Sequence, residues 1–301
     1  MKRFIIPIFF ISGLLTAQLT VTSVRNLPIP RTEQWSNAQF SPDGHSVFLT
    51  NTEMNGIWEY SLRTGTLRVI TSDRNSGFGF TISPNGSQLS YRTTKQEQTA
   101  KGPRIQQSVV VELSTLKVRV LQEGTSVELP FFSGKNEALT QRSLTASLNT
   151  TLTGQQIIGT DDQGILLLKN GISVTLDPLK GGRYIWPVLS NNGKRIAAVD
   201  MNRGAFISDA DGKNAVTIGR CNAPQWTADS RWIIGMHDVD DGHVITGSEI
   251  IAVSADGKKR IALTETPSNI ELFPSVSLVK NEFVATTSAG ELMLYTFAEG
   301  K

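Results

Sequence analysis

The densest group of chemically active side chains in this sequence is His-Asp-Val-Asp-Asp-Gly-His at 237–243. Asp238, Asp240 and Asp241 supply the oxygen ligands that Ca²⁺ prefers, and the two flanking histidines are suited to a transition metal. The spacing does not match the calcium loop of an EF-hand. The alternative is a polar hairpin loop in which Asp241 and Gly242 make the turn. We expect no cofactor, with calcium at these three aspartates as the alternative.

The sequence lacks the motifs of familiar catalytic and nucleotide-binding sites. It has no G-x-S-x-G turn, no zinc-type cysteine or histidine spacing, no P-loop and no dinucleotide fingerprint. Of its three histidines, His45 directly follows a predicted turn, so few bases exist for nucleophilic catalysis. We therefore predict that the protein is not an enzyme. The alternative is an active site assembled from dispersed loop residues.

Two predicted loops, at 93–107 and 237–247, carry charges of opposite sign. The candidate partner-binding side chains in them are Lys95, Lys101, Arg104, Asp240, Asp241 and His243. If the two loops lie on opposite sides of one mouth, their charges would orient a bound partner. The alternative is a pair of solvated loops with no binding role.

Six aromatic residues lie in or just before the predicted innermost strands: Trp35, Phe78, Phe80, Tyr184, Trp186 and Trp226. Flat rings fill the gaps between packed sheets well, which favours a role in packing. The alternative assigns Trp35, Phe78 and Tyr184 to the mouth of the domain, where they would stack on a peptide or a sugar. The sequence leaves both interpretations open.

The first residues have the form of an export signal. Lys2 and Arg3 precede an apolar stretch at 4–15, and we predict cleavage after Ala17. An uncleaved anchor is disfavoured because this stretch is shorter than the ~20 residues that span a bilayer. Without the two leader cations, basic and acidic residues balance, which argues against a nucleic-acid partner. The single cysteine, Cys221, cannot form an internal disulfide.

A recurrent turn organises the rest of the chain. Phe-Ser-Pro-Asp-Gly at 40–44 has a close copy at 81–86 and weaker copies at 132–136, 189–193, 226–230 and 276–280. Each copy lies between two short apolar strands, which is typical of a hairpin turn. Four strands in meander order make one propeller blade. The repeats therefore predict an all-β fold, a six-bladed β-propeller of four-stranded antiparallel blades.

The predicted blades span 35–70, 77–122, 126–178, 182–219, 220–264 and 271–297. The third is irregular and contains a polar insertion at 143–156 without an assigned role. The sixth shows only three strands, whereas 19–29 form an unassigned strand at the N-terminal end. We predict that this N-terminal strand completes the last blade and closes the ring. The expected organisation is a signal peptide at 1–17 followed by one propeller domain at 18–301.

The turns at 40–44 and 81–86 and the later Asp-Gly turns resemble the WD40-like PD40 repeats of TolB-like six-bladed propellers. The resemblance covers almost the whole chain after the signal and implies this fold. It leaves the function open, because the family includes periplasmic scaffolds, carbohydrate-active proteins and the propeller halves of serine peptidases. We expect a protein distinct from TolB itself, since no N-terminal α/β domain is apparent, and distinct from the peptidases, since no hydrolase domain is apparent.

These features predict an exported protein, periplasmic or secreted, that acts as a protein- or peptide-binding scaffold. The partner would bind the face that carries the two long loops, opposite the recurrent turns. We expect no nucleic-acid partner, no membrane insertion after cleavage, and a monomer. The alternative function is a carbohydrate-binding or carbohydrate-processing propeller with a site built from loop residues.

Overall fold

The strands of the molecule are arranged as a six-bladed β-propeller, so the prediction of this all-β fold is confirmed. A computed structural model describes residues 18–30, 33–97, 99, 100, 102–141, 154–266 and 269–300. The predicted signal at 1–17 and most of the insertion at 143–156 lie outside these ranges. No helix within them is long and apolar enough to cross a lipid bilayer.

The strands are numbered along the chain. The first nine are β1 (Leu19–Asn26), β2 (Trp35–Phe40), β3 (Ser46–Asn51), β4 (Ile57–Ser61), β5 (Leu67–Thr71), β6 (Thr81–Ile82), β7 (Gln88–Gln96), β8 (Ile105–Glu112) and β9 (Val118–Gly124). The next nine are β10 (Phe131–Phe132), β11 (Ala138–Leu139), β12 (Gln155–Asp161), β13 (Gly164–Lys169), β14 (Ile172–Leu176), β15 (Tyr184–Leu189), β16 (Arg195–Asp200), β17 (Gly204–Asp209) and β18 (Val216–Gly219). The last are β19 (Asn222–Trp226), β20 (Trp232–Asp240), β21 (Ile245–Ser254), β22 (Arg260–Ala262), β23 (Glu271–Val276), β24 (Glu282–Thr287) and β25 (Leu292–Glu299).

Most blades are four-stranded antiparallel meanders. Blades 1, 2, 4 and 5 contain β2–β5, β6–β9, β15–β18 and β19–β22, and blade 6 contains β23–β25 together with β1. The third blade is irregular, as its sequence suggests. Its described residues form a two-stranded sheet of β10 and β11 and a three-stranded sheet of β12, β13 and β14. In the sequence, the insertion follows β11, and its last two residues belong to β12.

The N-terminal strand closes the ring. β1 pairs with β25 in antiparallel register from Leu19 opposite Glu299 to Asn26 opposite Met293. Leu19 is buried in the same apolar cluster as Phe283 and Phe297, which belong to blade 6. The prediction that an N-terminal strand completes the last blade is therefore confirmed.

The recurrent turn follows from a hydroxyl that bonds twice. In blade 1 the hydroxyl of Ser41 donates to the carboxylate of Asp43 at 2.6 Å and accepts the backbone N–H of Ser46 at 2.9 Å. Gly44 has φ +68°, which a glycine adopts without strain. The same hydroxyl-to-acceptor bond recurs two residues apart in blades 2, 4 and 5, at Ser83, Ser190 and Thr227. The repeated Ser or Thr, followed two residues later by Asp or Asn, therefore reflects a hydrogen bond that these turns share.

Two hairpins are longer in strand than the sequence predicts. Gln96 of β7 still pairs with Ile105 of β8, and Asp240 of β20 still pairs with Ile245 of β21. Strand residues therefore make up about half of the predicted loop at 93–107 and most of the predicted loop at 237–247. Both hairpins connect the second and third strands of their blades, so they lie on the same face of the propeller. We call this the hairpin face, and the opposite side, with the recurrent turns, the turn face.

Candidate functional site

The acidic hairpin of blade 5 exposes three predicted side chains, those of Asp240, Asp241 and His243. The Asp241 carboxylate accepts the backbone N–H groups of Val244 and His243, each at 2.9 Å, and these bonds lower its pKa below the usual value. Asp240 accepts the N–H of Gly242, where φ is +90°. Both carboxylates thus stabilise the hairpin turn while remaining open to solvent.

Asp238 lies apart from these two carboxylates. It is buried and accepts a hydrogen bond from Nδ2 of Asn222 at 2.7 Å. A register shift between Val239 and Asp240 interrupts the strand alternation, so Asp238 and Asp240 do not converge. Among the residues that the structure describes, no group of three or more His, Cys, Asp or Glu side chains is placed to hold a metal ion.

The basic hairpin of blade 2 is only partly available for binding. Nζ of Lys95 lies 3.0 Å from Oδ1 of Asp73 in an exposed ion pair. Lys101 falls outside the described residues. Arg104 is exposed, and its Nη2 donates to Oγ1 of Thr94 at 3.0 Å. Arg104 also lines a cavity.

That cavity, which we call the arginine pocket, has a volume of about 270 Å³ and is lined by Asn75, Phe78, Arg92, Thr93, Thr94, Arg104 and Gln106. Arg92 donates from Nη1 to the carbonyl of Val127 at 3.3 Å. Burial lowers the pKa of Arg92, and the nearby positive charge of Arg104 lowers it further. No carboxylate of the described chain forms an ion pair with either guanidinium. Arg92 was not among the predicted site residues, because a single arginine within a strand gives no signal in the sequence.

The predicted aromatic residues divide between core and surface. Trp35 is 2% exposed and packs edge-on against Trp58, and Tyr184 is 4% exposed with its hydroxyl donating to Asp177. These two rings therefore lie in the core and do not reach the mouth, because each packs within or between blades. Phe80 and Trp226 are also buried. Phe78, in contrast, is 59% exposed and lines the arginine pocket.

A second group of aromatic side chains comes from a repeated backbone feature. The residue four positions before the turn hydroxyl has positive φ in five blades: Asn37, Gly79, Trp186, Ala223 and Phe273. A non-glycine residue in this region costs about 1–3 kcal/mol. The rings of Trp186 and Phe273, from blades 4 and 6, meet with centroids 6.4 Å apart and lie edge to face. Two rings on the innermost strands of blades 4 and 6, which are not adjacent in the ring, therefore contact each other.

The turn face also has a cavity, of about 430 Å³, between blades 4 and 5. Its guanidinium groups already have partners. Arg195 donates to the carbonyl of Ala255, and Arg231 pairs with both Asp229 and Glu299. Arg231 of this cavity therefore has carboxylate partners, in contrast to the two guanidiniums of the arginine pocket.

A buried carboxyl group lies between blades 5 and 6. Glu271 is 0% exposed; its Oε1 accepts the hydroxyls of Thr266 at 2.6 Å and Tyr295 at 3.3 Å. Oε2 has no hydrogen-bond partner among the described residues. Burial raises the pKa of Glu271, the Thr266 hydrogen bond opposes this, and the neighbouring charge of Glu249 raises it further. The folded protein therefore holds a proton on Glu271 more tightly than the unfolded chain does.

This raised pKa predicts a pH-dependent stability. The ordinary pKa of a glutamate, 4.5, applies to Glu271 in the unfolded chain. As pH rises above this value, the unfolded chain loses the proton first. The contribution of Glu271 to stability therefore falls until pH passes the pKa of the folded state. The variant Glu271→Gln should lack this decline. As pH rises, the melting temperature of the variant should therefore increase relative to that of the wild type. Parallel curves for the two proteins, or the same divergence in the exposed control Glu265→Gln, would contradict this assignment.

Comparisons with known proteins place the chain by its fold. No family model and no curated protein sequence matches it. Among solved structures, TolB from Acinetobacter baumannii superposes with a TM-score of 0.55 at 18% identity, covering 81% of this chain and 57% of TolB. This chain thus spans less than two thirds of the length of that TolB.

Two further solved structures share the propeller fold. An oligogalacturonate lyase from Vibrio parahaemolyticus has a TM-score of 0.50 at 11% identity, covering 86% of this chain and 76% of the lyase. The β-propeller domain of Cps50 (Swd1) from Myceliophteria thermophila has a TM-score of 0.52 at 11% identity, covering 93% of this chain and 99% of that domain. At these identities the similarity extends to the fold alone. The chain is a six-bladed β-propeller with the architecture of the TolB-like propellers.

Proposed function

We propose that this protein is a non-enzymatic binding module, exported to the periplasm or the secreted space, that binds a protein or peptide on its hairpin face. The observation that carries the proposal is the pair of extended hairpins, β7–β8 in blade 2 and β20–β21 in blade 5. Blades 2 and 5 lie across the axis in a six-bladed ring, so the hairpins flank the channel from opposite sides. A rigid scaffold that displays exposed loops needs no cofactor to bind a partner.

The charges on the two hairpins support a protein partner. The blade 5 hairpin exposes Asp240 and Asp241, whereas the blade 2 hairpin carries the arginine pocket with Arg104 at its edge. A partner with complementary charges would be oriented on the face before it docks. The similarity in fold to TolB is in keeping with an exported scaffold.

Reversing charge on the acidic hairpin tests this proposal. The double variant Asp240→Lys and Asp241→Lys should reduce capture of a stoichiometric partner from an envelope extract by about tenfold, since rim charges guide association. Its matched control reverses Asp211 and Asp256, which occupy Asp-Gly turns on the turn face. Capture that is equal for the wild type and the hairpin variant, quantified by mass spectrometry after cross-linking, would reject the acidic hairpin as part of the binding surface.

A carbohydrate-binding or carbohydrate-processing propeller is the second candidate function. The fold similarity to an oligogalacturonate lyase favours it, because uronate sugars carry carboxylates and the arginine pocket has two guanidiniums. A thermal shift with a glycan panel, in the absence of any captured protein, would support this candidate over the scaffold.

A further inference from the structure

The arginine pocket brings together two cations from neighbouring strands with little to neutralise them. Arg92 lies in β7 and Arg104 lies just before β8, and both side chains line the same cavity of about 270 Å³. Like charges at short range repel, and each guanidinium here has an oxygen partner without a negative charge, the carbonyl of Val127 and the hydroxyl of Thr94. An anion in the pocket would relieve this repulsion and make charge-assisted hydrogen bonds with both groups.

Hydrogen bonds to neighbouring residues hold the uncharged side chains that line the pocket. Nδ2 of Asn75 donates to Oγ1 of Thr94 at 3.0 Å, the same oxygen that accepts from Arg104. The hydroxyl of Thr93 donates to the carbonyl of Arg74 at 3.0 Å, and the backbone N–H of Thr94 donates to the same carbonyl at 3.1 Å. The neutral side chains that line the pocket with the arginines are therefore fixed by hydrogen bonds before any ligand arrives. Such preorganisation reduces the ordering cost of binding.

The rim of the pocket adds an apolar contact. The ring of Phe78 is 59% exposed beside the two guanidiniums. A ligand that places an apolar group next to its anionic group would cover this ring while the arginines bind the charge. Planar guanidiniums match the planar, two-oxygen geometry of a carboxylate.

Size favours one residue of a larger partner over a whole small molecule. Pockets that enclose a drug-sized ligand measure roughly 300–1,000 Å³, and this one is smaller. A single carboxylate-bearing residue, presented by a peptide that also contacts the surrounding face, fits the space better than an oligosaccharide. The neighbouring hairpins offer that additional surface.

We infer that the arginine pocket binds a carboxylate of a peptide, with Arg92 and Arg104 holding the carboxylate and Phe78 packing against an adjacent apolar side chain. This inference rests on the proposed function, since it names the group of the partner that the hairpin face recognises. The carboxylate comes from an acidic side chain or from the C-terminus of the peptide, and both offer the same chemistry to the arginines.

The test is fluorescence anisotropy with three labelled peptides at low salt. One has the sequence Gly-Ser-Gly-Asp-Leu with an amidated end, one has Gly-Ser-Gly-Asn-Leu with a free C-terminal carboxylate, and one has Gly-Ser-Gly-Asn-Leu with an amidated end. We expect one or both carboxylate peptides to bind at least about tenfold more tightly than the third, because each charged hydrogen bond contributes on the order of tenfold. The stronger of the first two identifies the source of the carboxylate.

Variants decide whether binding occurs in this pocket. Arg104→Gln, at an exposed position, should weaken binding about tenfold without affecting the fold, and Arg92→Gln and Phe78→Ala should also weaken it. The matched control is Arg119→Gln, an exposed arginine on β9 of the same blade. Equal binding of all three peptides, or equal loss in the Arg119 control, would overturn the inference. So would tighter binding of a labelled trigalacturonate that depends on Arg104, since the pocket would then belong to an acidic sugar.

The outcomes separate this inference from the proposed function. If no carboxylate peptide binds but capture still depends on Asp240 and Asp241, the pocket assignment fails and the scaffold function stands. If peptide binding depends on Arg104 while capture ignores the acidic hairpin, the pocket stands and the proposed role of the acidic hairpin in docking fails.

Discussion

Replacing Asp200 with alanine should lower the free energy of unfolding by about 3 kcal/mol and the melting temperature by about 5–10 °C. Asp200 ends β16 and is 0% exposed. Its carboxylate accepts the backbone N–H groups of Arg183 at 3.0 Å, Asn202 at 3.1 Å and Arg203 at 2.8 Å. Alanine would leave these donors without an acceptor where water has little access. The connection that leads into β15 and the turn between β16 and β17 would therefore loosen. Thermal and urea unfolding measure the loss.

The pH dependence of Asp200 has the opposite sign to that of Glu271. Burial raises the pKa of Asp200, but the hydrogen bonds from the Arg203 side chain and from three backbone N–H groups outweigh it, so its folded pKa lies below the usual 3.8. The stabilisation is therefore present at neutral pH and is lost as pH falls through the folded pKa. Asp200→Asn should be less harmful than alanine, and its deficit should shrink in acid. A deficit that stays constant with pH, or an equal loss in the exposed control Asp211→Ala, would argue against this role.

Deleting Leu19–Asn26 should lower the free energy of unfolding by at least about 5 kcal/mol, and the remaining chain should no longer unfold in a single cooperative transition. The deletion removes β1, which contributes seven register pairs to β25 and buries Leu19 against Phe297. Truncating one buried leucine alone costs about 2–5 kcal/mol, and each lost ladder hydrogen bond adds to it. The exposed edge of β25 would then be free to pair with another chain, so we expect self-association in size-exclusion chromatography.

Two point variants grade this effect. Leu19→Ala keeps the strand but removes its buried side chain, so it should lower the free energy of unfolding by about 2–5 kcal/mol. Val24→Ala, at a position 53% exposed on the same strand, should change it by less than about 0.5 kcal/mol. A deletion variant that stays monomeric and melts like the wild type would show that closure does not depend on β1.

The recurrent turn was predictable because its information is local. A hydroxyl at Ser41 or Ser190, an acid or amide two residues on, and a glycine such as Gly44 together satisfy the turn within a few residues. Local hydrogen bonding leaves a repeated pattern in the sequence, and that pattern reveals the blades. The missing strand of blade 6 was predictable for a related reason, since an unpaired strand needs a partner.

The positions of the predicted site residues were harder to predict, because the burial of a side chain depends on residues that are distant in the sequence. Trp35, Phe78 and Tyr184 look alike in the sequence, yet only Phe78 reaches the surface. Asp238 and Asp240 are two residues apart, but the register shift beside Asp240 separates their side chains. Whether a side chain is buried depends on the neighbouring blade, and alternation fails wherever a bulge intervenes.

The sequence alone determined the propeller, its ring closure and the positions of its turns, since each depends on short-range patterns of apolar and turn-forming residues. Only the tertiary structure decided which charged groups meet. Arg92 and Arg104 are separated by a whole hairpin connection and become neighbours because β7 and β8 pair beyond the predicted strand ends. Glu271 and Glu249 meet across two blades. Such encounters depend on strand length and blade packing, which no local pattern of residues encodes.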